Sequence, residues 1–215
     1  CGSGLEAINT ASRIIQSGDA DVIVAGGAEN MTRMPFYLRK ARSGYRLGHD
    51  TIEDGIIHML SDPFKGYHMG ITAENLADQF EVSRAAQDEL SAESQKRAIN
   101  AIEQGYFKEQ ILPLTVKVGR EEKVFDTDEH PRATTAEALG KLRPAFKEGG
   151  MVTAGNASGI NDGAAAVVVM TAKKAAALGL KPLARIASYG MSGLDPATMG
   201  LGPVPATKKA LSRAG

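Results

Sequence analysis

Two short apolar runs, separated by about 130 residues, constrain the fold of this chain more than any other feature. Residues 21–26 (DVIVAG) and 163–170 (GAAAVVVM) each have the length and composition of a buried strand. A helical pattern precedes the first run, and an Ala-rich stretch that Thr171 can cap follows the second through Leu178. These patterns predict an α/β chain in which two helix–strand units flank a long intervening region.

The intervening region is predicted to be an ordered, inserted domain. Residues 84–104 form a helical pattern that Ser83 can cap and Gly105 can end. The apolar positions on one face of that helix are Ala86, Leu90, Ala98 and Ile102. Residues 111–118 and 123–125 flank a Gly119 turn and predict a hairpin. After the second unit, 184–189 predicts a further strand and 207–215 a helix.

Composition excludes several classes of partner. The 25 basic and 25 acidic residues balance, which gives no reason to expect nucleic acid or an anionic membrane. No apolar run is long enough to span a bilayer. One cysteine excludes an internal disulfide and suits a reducing compartment, so we expect a cytoplasmic location, or the mitochondrial matrix in a eukaryote. Because the chain starts without Met, we expect it to be a piece of a longer sequence.

The single cysteine is the main candidate for a catalytic residue. Cys1-Gly2-Ser3-Gly4 opens an amphipathic stretch that Gly18 ends, which predicts a helix directly after the thiol. The free amides of a first helical turn favour thiolate over thiol, and Gly2 and Gly4 permit close approach of a substrate. A buried, inert cysteine stays open as the alternative at this point.

Five segments together carry a family resemblance. They are CGSGLEAI at 1–8, ADVIVAGGAENMTRMP at 20–35, GYHMGITAENLA at 66–77, KLRPAF at 141–146 and VTAGNASGINDGAAA at 152–166. In order and spacing the chain resembles the thiolases over its full length, and within them the acetyl-CoA acetyltransferase branch. The resemblance implies the layered α-β-α-β-α thiolase fold.

The resemblance also implies a division into domains and a reaction. Residues 1–30 and 161–182 would belong to the N-terminal α/β domain, 31–160 to an inserted loop domain for coenzyme A binding and oligomerisation, and 183–215 to the start of a C-terminal domain. The implied reaction of lipid metabolism is the condensation of two acetyl-CoA to acetoacetyl-CoA, or the reverse thiolysis. No cofactor and no metal are implied, because coenzyme A thioesters are the substrates.

Residue roles follow from the same resemblance. Cys1 matches the nucleophile that takes an acyl group from acyl-CoA, and its amide matches part of an oxyanion hole. The positions that match the substrate site are Leu60, His68, Met69 and Met199 around the pantetheine and acyl group, Ala154, Gly155, Ala157 and Ser158 in the pantetheine loop, and Arg132 and Phe146 near the nucleotide. The spelling His68-Met69-Gly70 favours short-chain substrates. The basic loop from Arg39 to Asp50 matches the segment by which such enzymes form homotetramers.

Parts of the family pattern are missing from this sequence. Thiolases also use an Asn-Glu pair, a His in a His-Pro-Gly segment and a second Cys in a Cys-Gly-Gly-Gly segment, and none of the four histidines, His49, His58, His68 and His130, stands in such a segment. We therefore expect no turnover from these 215 residues alone. Two other readings stay open: a thiolase-like acyl-CoA or lipid carrier without turnover, and an N-terminal-nucleophile hydrolase, which would need Cys1 to begin a strand.

Overall fold

The computed structural model describes every residue from Cys1 to Gly215. In chain order the elements are α1 (Ser3–Ser17), β1 (Val22–Asn30), a 3-10 helix (Met31–Arg33), β2 (Phe36–Tyr37), β3 (Glu53–Asp54), α2 (Gly55–Met59), α3 (Met69–Gln79), α4 (Arg84–Glu103), β4 (Leu114–Val118), β5 (Glu121–Phe125), α5 (Ala136–Gly140), β6 (Asp162–Met170), α6 (Ala172–Ala177), a second 3-10 helix (Pro196–Leu201) and α7 (Pro203–Ala214). Contacts divide the chain into unit 1, residues 1–66 with 160–215, and unit 2, residues 67–159.

The two apolar runs pair with each other in unit 1. β1 and β6 form an antiparallel, two-stranded sheet whose register runs from Val22 opposite Met170 to Asn30 opposite Asp162. α1 packs on this pair. Both strands were predicted to be buried, and that prediction is wrong, because a two-stranded sheet with one helix against it leaves most of its side chains uncovered. Ala25 is the buried apolar side chain of β1, whereas Val24 is 70% exposed.

The end of α1 and the start of α6 lie where the sequence predicts. α1 stops at Gly18, whose left-handed φ of 86° ends the helix at the expected glycine. The Thr171 hydroxyl accepts from the Lys174 amide at 3.0 Å and caps α6. The helix predicted at 207–215 is also present, within α7.

The strand predicted at 184–189 is absent. This segment lies along α7 and pairs with no strand. The Ser188 hydroxyl donates to the Ala210 carbonyl at 2.5 Å, and the Arg213 guanidinium donates to the Tyr189 carbonyl at 2.9 Å. The segment thus bonds to the helix at Ser188 and Tyr189, and its local sequence pattern did not show that no strand partner was available.

Unit 2 contains the predicted long helix and hairpin. The Ser83 hydroxyl accepts from the Ala86 amide and caps α4, and β4 pairs with β5 across a turn in which Gly119 has a φ of 66°. The predicted apolar face of α4 is not its buried face, since Leu90 is 71% exposed while Asp88 is 2% exposed. A buried polar network, described below, selects the packed face of this helix.

The two units are bounded differently from the predicted domains. Residues 31–66 cluster with unit 1, although the resemblance assigns them to the inserted domain. A division by contacts within the structure does not test the domain boundaries that the resemblance implies, and these boundaries stay a prediction. No helix of the structure combines the length and the apolar character that crossing a membrane requires.

Candidate active site

Cys1 stands two residues before the start of α1, with a free and exposed thiol. Gly2 is the N-cap residue and contributes no side-chain hydrogen bond to the helix. The first N–H groups of a helix have no partner within it and carry partial positive charge. A thiol at this position is suited to nucleophilic attack, because nearby positive charge favours the thiolate. The structure does not fit a buried cysteine, and it places a helix rather than a strand directly after Cys1.

Glycines leave open space near Cys1 and bring α1 close to β1. Apart from adjacent residues and the backbone of α1 itself, no atom lies within 4 Å of the position that a Cβ would take on Gly2 or Gly4. A Cβ on Gly27 in β1 would lie 3.6 Å from the Gly4 Cα atom, so the first turn of α1 rests on the strand at a glycine. This contact fixes the helix start that carries Cys1.

Side-chain hydrogen bonds fix the chain where it leaves β1. Asp162, at the start of β6, accepts from the Thr32 amide at 3.0 Å and from the Thr32 hydroxyl at 2.6 Å. These bonds from Thr32 hold the pKa of the Asp162 carboxyl below its ordinary value, because they favour the ionised form. The Asn30 side chain accepts from the Arg33 amide at 3.2 Å and caps the 3-10 helix.

Two of the predicted substrate-binding residues stack on each other in unit 2. The rings of His68 and Phe146 lie 4.6 Å apart at an interplanar angle of 16°. His68 is the N-cap of α3, and its Nδ1 atom accepts from the Gly70 amide at 3.0 Å. Burial lowers the pKa of the His68 imidazole. The His68 ring is therefore uncharged at neutral pH, and its Nδ1 atom accepts a hydrogen bond from the first turn of α3.

Gly70 is required for this stacking. A Cβ on Gly70 would overlap the Phe146 ring, so only glycine lets α3 begin this close to the aromatic pair. Met69 is the first residue of α3 and stands between His68 and Gly70 in the chain. The predicted residues His68, Met69 and Phe146 are thus brought together at one helix start.

The predicted pantetheine loop is a tight turn around a buried threonine. Thr153 is fully buried, and its hydroxyl accepts from the amides of Gly155 and Asn156 at 3.2 and 3.3 Å. Ala154 and Ser158 are exposed on the same loop, while Gly155 and Ala157 are half-buried. The loop therefore presents Ala154 and Ser158 to solvent while hydrogen bonds hold its other side.

Three predicted residues stand on separate elements. Leu60 is half-buried at the C-terminal end of α2, and Met199 is 42% exposed in the second 3-10 helix. The exposed Arg132 is anchored through its backbone, whose amide donates to Gln95 Oε1 at 2.9 Å. The roles that the resemblance gives to these residues, and to those above, stay predictions.

Two buried acidic residues hold the predicted pantetheine loop and the segment before it. The sequence pattern did not indicate either of them. Asp88 of α4 accepts from the Asn156 amide group at 3.0 Å and from Arg84 Nε at 2.7 Å. Glu74 of α3, 1% exposed, accepts from the backbone amides of Met151 and Val152 at 2.9 and 2.8 Å. An acidic residue in a helix ordinarily indicates a solvated face, so the sequence carries no clear signal for either contact.

No hydrogen bond joins His49, His58 or His130 to Cys1, so none of the three is identified as a general base for the thiol. His58 lies against Arg39, whose Nη2 atom is 2.9 Å from His58 Nδ1, and its ring meets Tyr37 edge-on at 5.9 Å. His49 and His130 are exposed in loops. No group of three or more His, Cys, Asp or Glu side chains is arranged to hold a metal ion.

Comparisons with known proteins identify the family and the fold of the chain. The family model "Thiolase, N-terminal domain" matches residues 1–173. The acetyl-CoA acetyltransferase of Syntrophomonas wolfei is 55% identical over 218 residues, which cover all of this chain and 55% of that relative. A solved acetyl-CoA acetyltransferase from Bacillus anthracis superposes with a TM-score of 0.95 at 50% identity, covering all of this chain and 55% of that one. Human mitochondrial 3-ketoacyl-CoA thiolase in complex with CoA gives a TM-score of 0.93 at 42% identity, over all of this chain and 54% of that one. The chain thus spans about half the length of the relatives it matches.

Proposed function

This chain belongs to the thiolase family, and from that premise we propose that the full-length protein containing it is a Cys-dependent acyltransferase that interconverts two acetyl-CoA with acetoacetyl-CoA and CoA. The observation that carries the proposal is Cys1: a free, exposed thiol at a helix start whose neighbouring glycines leave the space around it open. The fold alone would not support this proposal, because one fold can carry different functions and the function depends on the residues of the site.

The first half of the proposed reaction uses residues of this chain. The Cys1 thiolate attacks the thioester carbonyl of acetyl-CoA, and the resulting oxyanion collapses with loss of CoA thiolate to leave acetyl-Cys1. Backbone N–H groups near the helix start are suited to stabilise the oxyanion. In the second half, a base removes an α-proton from another acetyl-CoA, and the resulting enolate attacks acetyl-Cys1, forms the carbon–carbon bond and releases the Cys1 thiolate. The proton removed is balanced by the proton that the departing CoA thiolate takes up to become the free thiol.

In this proposal, residues of unit 2 contribute to the binding of the acyl-CoA. His68, Met69 and Phe146 provide an apolar and aromatic wall, and the loop carrying Ala154 and Ser158 receives the pantetheine arm. A neutral His68 suits an uncharged acyl chain better than an imidazolium would. A relative whose structure is a complex with CoA supports a coenzyme A thioester as substrate. We include in the proposal a preference for short acyl chains, the absence of any cofactor and a cytoplasmic location.

Labelling of Cys1 tests the proposal directly. Iodoacetamide should alkylate Cys1 in the full-length protein, and prior incubation with acetyl-CoA should protect it, because the acetylated thiol no longer reacts. A Cys1→Ala variant should lose acetoacetyl-CoA thiolysis, whereas Ser17→Ala at the far end of α1 should retain it. Normal turnover by Cys1→Ala would refute the assignment. Acylation of Cys1 with no carbon–carbon bond chemistry would favour the acyl-CoA carrier instead.

The 215-residue chain expressed alone is expected to show acylation without turnover. A thiolate can attack a thioester unaided, but enolate formation needs a positioned base, and the His-Pro-Gly and Cys-Gly-Gly-Gly segments are not in this sequence. Mass spectrometry should detect acetyl-Cys1, while a spectrophotometric thiolysis assay should detect no product. Turnover close to that of the full-length protein would show that one of the four histidines acts as the base.

A further inference from the structure

We propose that Asp88 and Asn156 are positioning residues for acyl-CoA binding, because together they fix the shape of the loop formed by residues 153–158, which receives the pantetheine arm. This inference rests on the proposed function and assigns work to two residues that do not themselves touch the substrate. It is carried by hydrogen bonds within unit 2.

Asn156 closes the loop on itself and ties it to the preceding segment. Its Oδ1 atom accepts from the Thr153 amide at 2.7 Å, and its Nδ2 group donates to the Met151 carbonyl at 3.0 Å. The Thr153 hydroxyl in turn accepts from the Asn156 amide at 3.3 Å. A side chain with both a donor and an acceptor is needed here, since a backbone donor and a backbone acceptor must be satisfied at once.

Asp88 connects this turn to the rigid part of the unit. One carboxylate oxygen accepts from Asn156 Nδ2 at 3.0 Å, and the other accepts from Arg84 Nε at 2.7 Å. Arg84 also donates to the carbonyls of Leu139 and Leu142 at 2.7 and 3.1 Å, at the C-terminal end of α5. The loop is therefore held to α4 and α5 through a charge that is 2% exposed.

A close steric contact also fixes the position of this loop against α5 and the residues after it. A Cβ on Gly155 would lie 2.6 Å from Leu139 Cδ2 and 2.5 Å from Leu142 Cδ1, so the loop backbone lies directly on those leucines. The exposed members of the loop, Ala154 and Ser158, are the ones left to meet a ligand. The network thus determines where the ligand-facing residues stand, while Asp88 and Thr153 within it are buried.

Two substitutions break the network at different places. Asp88→Asn keeps the shape of the side chain but places an NH₂ donor opposite either Arg84 or Asn156, both of which are donors. Asn156→Ala removes the bonds to Thr153 and Met151 as well. Exposed residues of the same helix supply the matched controls, Glu89→Gln and Asn100→Ala.

The test measures steady-state thiolysis and a reaction that does not involve pantetheine, both on the full-length protein. Asp88→Asn and Asn156→Ala should each raise KM for the acyl-CoA about tenfold with little change in kcat, because a loosened loop binds the arm less well. Acetylation of Cys1 by S-phenyl thioacetate, which has no pantetheine, should stay within about twofold of wild type. The double variant should raise KM no more than the larger single effect, because both changes act in one network. The controls should match wild type.

The outcomes separate the inference from the proposed function. Unchanged KM in both variants would overturn the inference, and so would a loss of S-phenyl thioacetate reactivity parallel to the loss with acyl-CoA, which would show general damage to the fold. Wild-type protein that is not acetylated by acetyl-CoA would instead refute the proposed function, before any variant is compared.

Discussion

At the scale of single residues, His68 shows how one side chain can serve both the fold and the proposed site. Its Nδ1 atom caps α3, and its ring stacks on Phe146. Burial lowers the pKa of His68, and protonation of Nδ1 would remove the acceptor of the Gly70 amide. Burial and the hydrogen bond that caps α3 therefore both favour the neutral form of His68 in the folded state.

This coupling predicts a loss of stability in mild acid. Because the folded pKa is below the unfolded value of about 6.5, the unfolded state binds more protons as pH falls. The His68 contribution to the unfolding free energy is complete above about pH 6.5 and is lost as pH falls through the folded pKa. His68→Asn retains an N-cap acceptor and does not titrate.

Urea unfolding at pH 7.5 and 5.5 checks this prediction. Wild-type protein should lose more stability between the two pH values than His68→Asn, and the exposed control His130→Asn should behave as wild type. Equal pH slopes for wild type and His68→Asn would contradict the burial argument.

At the scale of elements, glycines in β1 and β6 divide into two kinds. A Cβ on Gly26 would overlap the Ala165 carbonyl and stand 2.9 Å from the Ala166 Cα atom, whereas Gly163 has no atom within 4 Å of its Cβ position. Gly26 is thus required by the close approach of the paired backbones, and Gly163 is not.

The two glycines provide a matched pair of variants. Gly26→Ala should lower the unfolding free energy by about 3 kcal/mol, because backbone atoms cannot move aside without disturbing the strand pair. Gly163→Ala should change it by less than about 1 kcal/mol. Urea denaturation of both variants measures the difference, and losses of similar size from the two would contradict the steric argument for Gly26.

The sequence predicts more of the elements than of their packing. α1, α4, α6 and the hairpin were predictable because caps and glycine stops are local signals, as with Ser83 and Gly105. The absent strand at 184–189 and the exposed faces of β1 and β6 depend on which neighbours are present, which no local pattern records. In the candidate site, the helix that follows Cys1 was predictable from the local pattern ending at Gly18, whereas the nucleophilic role of Cys1 comes from the family resemblance and stays a prediction. The contact of Asp88 with Asn156 joins positions 68 residues apart and left no periodic signal.

At the scale of the whole molecule, the basic loop from Arg39 to Asp50 is the proposed contact between subunits. Its residues are exposed, and Lys40 pairs with Asp50 at 2.6 Å, closing the loop at its two ends. The hydrogen bond from Lys40 lowers the pKa of Asp50. Arg42 and Arg46 lie within this closed loop and are exposed to solvent, as a surface for another subunit requires.

Deleting residues 43–50 should therefore convert a tetrameric full-length protein into dimers. Light scattering should give four subunits for wild type and for Arg120→Ala, a control that removes an exposed arginine from another turn. Arg42→Ala combined with Arg46→Ala should weaken the tetramer without abolishing the dimer. A wild-type protein that is already dimeric would remove this role from the loop.

The pairing of β1 with β6 has a consequence for synthesis on the ribosome. About 130 residues separate the two strands, so β1 emerges long before its partner exists. At 5–20 residues per second, translation of the intervening stretch takes on the order of ten seconds. Unit 2 is one continuous stretch, 67–159, and is fully translated within that interval, so it can fold first. During the same interval the backbone N–H and C=O groups of β1 that will bond to β6 have no β6 to pair with, which makes residues 22–30 a segment that a chaperone should protect.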